Sequence, residues 1–211
     1  GLARLPSEAC ETHFPSHENR IGSVFHHGLS ELMEHPRDVV RLFDVLMSIE
    51  PNLRGEVNLG DLMGLAALMT KAPNVFSLLR STPQAFVGRR PGSQASMEKP
   101  EDVIDSFSAD REGAINACGN PAAVRELVHW LFPKTAKADK AFTFDRVVFT
   151  EGHLGHPDRL SVALQMSAGQ GDVSMVNARR FVFQPSEREA IAVGLDEQGC
   201  FEFLIYLVET L

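Results

Sequence analysis

Cysteine is scarce and unpatterned in this chain: Cys10, Cys118 and Cys200 are odd in number and far apart. That spacing writes neither a disulfide framework nor a Cys-x-x-Cys metal or redox site, so three reduced thiols are the expected state. Positive charge is also short. Lys and Arg number 20 against 28 Asp and Glu, a formal net charge of -8. Proteins that follow a phosphate backbone rely on clustered Lys and Arg to release counterions, so nucleic acid is not an expected partner. Long apolar runs are missing too. The terminal "CFEFLIYLVETL" at 200–211 falls well short of the roughly 20 residues of a membrane helix. The opening "GLARLPSEAC" lacks the basic and apolar regions of a signal peptide. These absences predict a soluble, cytoplasmic protein with no membrane span. Two catalytic signatures are absent as well. Without GxxxxGK[ST] the chain has no phosphate-cradling loop and is not a complete P-loop enzyme, and without GxSxG it has no nucleophile elbow.

What the chain does have is material for a core. Its 211 residues are 44% hydrophobic and 23% charged, which suits one domain or two small ones and excludes a disordered chain. Residue 1 is Gly rather than Met, and an irregular stretch bearing Pro and His comes after it. A fragment is one reading of that start, and a glycine left by processing is the other.

Periodicity predicts helices almost throughout. Ile21, Val24, Phe25, Leu29, Leu32 and Met33 keep helical spacing, with Gly28 a weak point in their middle. Pro36 opens the next helix and Pro51 closes it. Asn58 stands ready to cap a helix through Leu62, Leu65 and Leu68, and Pro73 starts another that Pro83 limits. Residues 88–99, "GRRPGSQASMEK", have the composition of an exposed linker. Beyond it, helical spacing runs from Pro100 to Cys118, Gly119 suits a left-handed helix end, and Pro121, Pro157, Ser174 and the capping box "SERE" at 186–189 mark further starts. The alternating run 141–149 is the one candidate strand, and the terminal run reads as a core helix. The expected fold is mainly α: a multi-helix orthogonal bundle in two helical subdomains, 1–88 and 100–211, joined by a linker at 89–99, with at most one short β-hairpin or strand.

Chemistry-bearing residues are few. The histidine pairs His13/His17, His26/His27 and His153/His156 can each offer imidazole to zinc, but no carboxylate or thiolate accompanies them at ligand spacing, so structural roles are expected and no metal site. The Pro36 helix differs in kind. Arg37, Arg41, Asp44 and Ser48 recur at steps of four, three and four, one polar stripe, with Val39, Val40, Leu42, Phe43, Leu46 and Met47 expected as the buried remainder. Two arginines one turn apart can hold two oxygens of a phosphate and stay charged at any relevant pH. An Arg41–Asp44 ion pair on a solvated face is the plain alternative, worth only ~0.2–0.5 kcal/mol.

Several loose motifs in order resemble one family. "HPRDVVRLFDVL" (35–46) is similar to a Pro-Arg-x-(hydrophobic)-(Lys/Arg)-Arg helix, with Arg37 and Arg41 at the two arginine positions. "GEVNLGDLMGLAAL" (55–68) resembles the family's next helix and "NVFSLLRSTPQAFVG" (74–88) its continuation, and "VRELVHWLFPK" (124–134) and "HPDRLSVALQMSAGQGDVS" (156–174) are similar to stretches further on. Together they resemble the region after the nucleotide-binding core in the KAP P-loop NTPases, the family of the phage-exclusion protein PifA. The resemblance covers most of residues 30–211. It implies the C-terminal helical part of a KAP-type ATPase, with residues 1–88 a lid-type subdomain and 100–211 a partner-binding or regulatory domain. Arg41 or Arg37 would then sense nucleotide state in anti-phage defence. No cofactor is implied for this chain itself, whereas ATP and Mg are implied for the intact parent. The implied partners are the NTPase core, an unidentified protein and, as a further possibility, a second copy of the chain. A non-enzymatic helical interaction module is the alternative reading.

Overall fold

The computed structural model describes residues 14, 17–88, 100–136, 148, 151–167 and 174–197. The protein is mainly α, as the periodicity predicts, and the β pairing among the described residues is an isolated bridge between Arg54 and Val57. In chain order the helices are α1 (His17–Val24), a π-helical turn (Phe25–Leu29), α2 (Ser30–Leu32), α3 (Pro36–Leu53), α4 (Leu59–Lys71), α5 (Pro73–Ser81) and α6 (Gln84–Val87). After residues 89–99 come α7 (Pro100–Ser106), α8 (Ser108–Asn116), α9 (Pro121–Leu131), a 3-10 turn (Pro133–Thr135), α10 (Pro157–Gln165), α11 (Met175–Phe183), a second 3-10 turn (Pro185–Glu187) and α12 (Arg188–Glu197).

Helix α4 is the centre of the packing because it is apolar almost all round: Leu62, Leu65, Ala66, Ala67 and Leu68 are all fully buried. The Asn58 carboxamide oxygen accepts from the Gly60 amide at 3.0 Å, the predicted cap. Small residues then set how closely the neighbours approach. A methyl group on Gly60 would stand 2.8 Å from the Arg20 backbone of α1, so only glycine lets α1 and α4 meet at this distance. Helix α3 packs along α4 through Leu42, Leu46, Ile49 and Leu53, each fully buried side chain of this kind contributing about 1.5–3 kcal/mol. At Ala72 the chain turns through 114° into α5, which gives the bundle an orthogonal corner. Among the described residues no single helix is long and apolar enough to cross a membrane.

One buried cluster takes Val24 to Val87 from before the 89–99 segment and Ile115 to Ala163 from after it. The segment itself, the candidate strand 141–149 apart from the buried Val148, and the terminal run 200–211 lie outside the described residues.

Four local expectations differ from what is observed. Pro51 does not stop α3, which runs on to Leu53; a proline in the last turn forfeits one amide bond there, and the burial of Leu53 outweighs it. The helix expected from Pro100 to Cys118 breaks at Phe107 into α7 and α8. Gly119 is not left-handed, because α8 has already closed, with Ala117 and Cys118 bonding back to Gly113 and Ile115. Ser186 lies within the 3-10 turn that runs directly into α12, rather than at an N-cap. The weak point at Gly28, by contrast, becomes a true kink, with Gly28 at φ 90° inside the π-helical turn.

Candidate functional site

Helix α3 carries the arginine stripe, and its start is well anchored. Pro36 occupies the first turn, the His35 amide donates to the Asp38 carboxylate at 3.1 Å, and Lys71 Nζ, at the far end of α4, lies 2.8 Å from the same carboxylate. The Lys71 hydrogen bond holds the Asp38 carboxyl below its usual range. The result is a rigid platform with Arg37, Arg41, Asp44 and Ser48 on its exposed side. Arg37 and Arg41 are one turn apart, roughly 6 Å along the axis. Neither makes an ion pair or side-chain hydrogen bond among the described residues, and Arg41 does not pair with Asp44.

Other arginines are used by the fold. Arg20 Nε donates to Asp61, Arg54 grips Glu50 at 2.6 and 2.7 Å, and Arg159 meets Glu56 at 3.0 Å. Arg111 donates to the carbonyls of Ala85 and Ile104 at 2.6 and 2.5 Å. The free guanidiniums of Arg37 and Arg41 thus stand on a helix that does not need their charge. Beside them, and against the expectation that they are buried, Val39, Val40 and Met47 are 38%, 59% and 72% exposed, because α3 packs through Leu42, Leu46, Ile49 and Leu53 on its other side; the outer face of α3 thus offers apolar contact as well as positive charge.

A second feature has almost no local signature. The π-helical turn, α1 and α9 border an open cleft of about 650 Å³ lined by Arg20, His27, Ala122, Arg125, Glu126, His129, Trp130 and Pro133. The turn is pinned on α9, since any side chain at Gly28 would collide with the Ala123 carbonyl. Ser23 orders two rings of the cleft: its hydroxyl accepts from Trp130 Nε1 at 2.8 Å, and its carbonyl lies 2.8 Å from His27 Nδ1. A carbonyl only accepts, so Nδ1 is the donor in this contact. Arg20 lies over the Trp130 ring, 4.1 Å from its centre. Arg125 reaches Glu112 through Nε and Nη2, and burial pushes the His129 imidazole below its ordinary range. The adjacent histidines at 26–27 are its one faint sign in the sequence, because the cleft joins residues such as Ser23 and Trp130, 107 positions apart.

Of the histidines considered as zinc donors, His13 and the side chain of His17 lie outside the described residues. His156 caps α10, its Nδ1 accepting from the Asp158 amide at 3.3 Å. His153 packs near Asp61 and Arg20, and burial pushes its pKa down to about 4. His26 is exposed. Among the described residues no group of three or more His, Cys, Asp or Glu side chains could hold a metal ion. The chain matches no protein-family model, no curated protein and no solved structure.

Proposed function

We propose that this chain is a non-catalytic helical lid and regulatory segment of a nucleotide-driven switch, a KAP-type ATPase of the cytoplasm acting in defence against phage. In this reading α3 presents Arg41, with Arg37 beside it, to the terminal phosphate of ATP·Mg held by a separate NTPase core. The observation that carries the reading is the pair of exposed arginines one turn apart, without an internal partner among the described residues, on a helix anchored at its start by Asp38 and Lys71. Arginines so placed can stabilise charge on a transferring phosphoryl group, while the rigid helix passes the motion to the rest of the bundle. The coding sequence upstream of Gly1 tests this directly. A strand, GxxxxGK[ST] and a later hydrophobic run ending in acidic residues are expected there, and a leader or an unrelated domain in their place would defeat the proposal.

Exposed Val40 and Met47 favour a second reading, in which the same face docks a protein partner and no phosphate is involved. The two readings separate on charge. Phosphate sensing requires the guanidiniums, whereas a docking face tolerates Arg41→Gln and fails with Met47→Asp.

A further inference from the structure

We propose that the cleft between the π-helical turn and α9 binds a small planar molecule bearing one oxyanion, carboxylate or phosphate, and one N–H donor. The site is independent of the arginine helix. Its volume of about 650 Å³ falls within the roughly 300–1,000 Å³ of small-molecule sites. It is also built rather than incidental. The helix is broken at His27 and Gly28, both outside helical geometry, and the kink lays this segment on α9 with Gly28 against the Ala123 carbonyl. The kink sets the His27 ring 6.3 Å from Trp130, with Ser23 orienting both.

The polar groups left over define the ligand. Asp61 occupies Nε of Arg20, and Glu112 with Asn116 occupies Nε and Nη2 of Arg125. Both Nη groups of Arg20 and Nη1 of Arg125 have no partner among the described residues. Guanidinium N–H groups only donate, and a planar pair of oxygens is their best match. Glu126, exposed on α9, only accepts and calls for an N–H on the ligand. Trp130, His27 and Pro133 supply flat and apolar walls for a ring. A cationic ligand fits less well, because Arg20 already covers a face of the Trp130 indole.

Trp130 is the sole tryptophan of the chain, so its emission, excited beyond tyrosine absorption, reports on this cleft alone. The purified chain is titrated with adenosine 5'-monophosphate and with 4-aminobenzoate, the phosphate and carboxylate forms of the same chemistry, and calorimetry gives the affinities. Saturable binding by either supports the site, and the tighter of the two identifies the oxyanion. Adenosine, inorganic phosphate and acetate should each bind about tenfold or more weakly, because each lacks one half of the recognition. Arg125→Ala and Glu126→Gln alter exposed or half-exposed side chains and should each cost about tenfold in affinity at unchanged melting temperature. No binding of either probe at about 1 mM overturns the proposal. So does binding that both substitutions leave intact, or inorganic phosphate binding as tightly as the nucleotide.

Discussion

Glu56 and Arg159 form an ion pair at 3.0 Å with side chains only 7% and 3% exposed. The same carboxylate takes the Ser174 hydroxyl and the Met175 amide, the latter at 2.8 Å. One residue between α3 and α4 thereby ties α10 to the start of α11, where the helix dipole favours negative charge. Removing the carboxylate takes an ion pair from the buried Arg159 guanidinium and a charged acceptor from the Ser174 hydroxyl and the Met175 amide. Glu56→Gln should therefore lose about 3–5 kcal/mol in chemical denaturation, while Glu56→Gln with Arg159→Met should recover part of that loss. A double variant no more stable than the single one would show that the pair does not act as a unit.

The loop at 151–156 should make stability depend on pH. The Leu154 amide donates to Asp61 at 2.7 Å, and His153 Nε2 beside it is buried without a hydrogen-bond partner among the described residues. Burial lowers the His153 pKa from 6.5 to about 4, against the opposing pull of Asp61. Between those values the unfolded chain binds the proton and the folded one does not. This contribution to stability is thus complete above pH 6.5, falls as the pH drops, and is gone below about 4. The full loss is roughly 3 kcal/mol. Urea denaturation at pH 7 and pH 4.5, with His153→Gln, measures it: the variant should be less sensitive to pH across this window.

Two glycines in neighbouring segments should respond oppositely to alanine. Gly28 has φ 90° and abuts the Ala123 carbonyl, so Gly28→Ala combines backbone strain with a collision between helices. It should cost more than about 2 kcal/mol and shift Trp130 emission. Gly22 is helical with nothing within 4 Å of an added methyl group. Gly22→Ala should raise stability by about 0.5–1 kcal/mol. Thermal melts of the two variants check both signs.

These contacts show why some of the molecule was readable and some was not. Helix starts are local, and Pro36, Asn58, Pro73, Pro121, Pro157 and Ser174 announced theirs through a fixed φ or a capping oxygen within three residues. Glu56 looked like any loop glutamate, since its partners lie 103 and more positions away. Asp61, in the first turn of α4, is spent on Arg20 and the Leu154 amide, 41 and 93 positions away. The cleft failed to show for the same reason: His27 and Trp130 acquire meaning only once the π-helical turn lies on α9. Arg37 and Arg41 were visible because periodicity alone puts them on one face.

That face yields the last prediction. Because Arg37 and Arg41 lack internal partners among the described residues, alanine at either position should change the stability of this chain by no more than about 0.5 kcal/mol. The chain alone should hydrolyse no ATP, since it has neither the phosphate-binding loop nor the metal-binding acid. The effect belongs to the intact ATPase of the proposal. There Arg41→Ala should lower turnover strongly, by about tenfold or more, while nucleotide affinity changes less. Arg37→Ala should do less, because Arg37 stands in the first turn of α3, where the helix dipole is already positive and a guanidinium is less well held. Asp44→Ala, on the same stripe without a positive charge, is the control. Turnover and nucleotide affinity measured for the three variants decide the matter: equal turnover in all of them would leave the stripe a solvated surface, whereas a loss confined to Arg41→Ala would mark that guanidinium as the one that meets the phosphate.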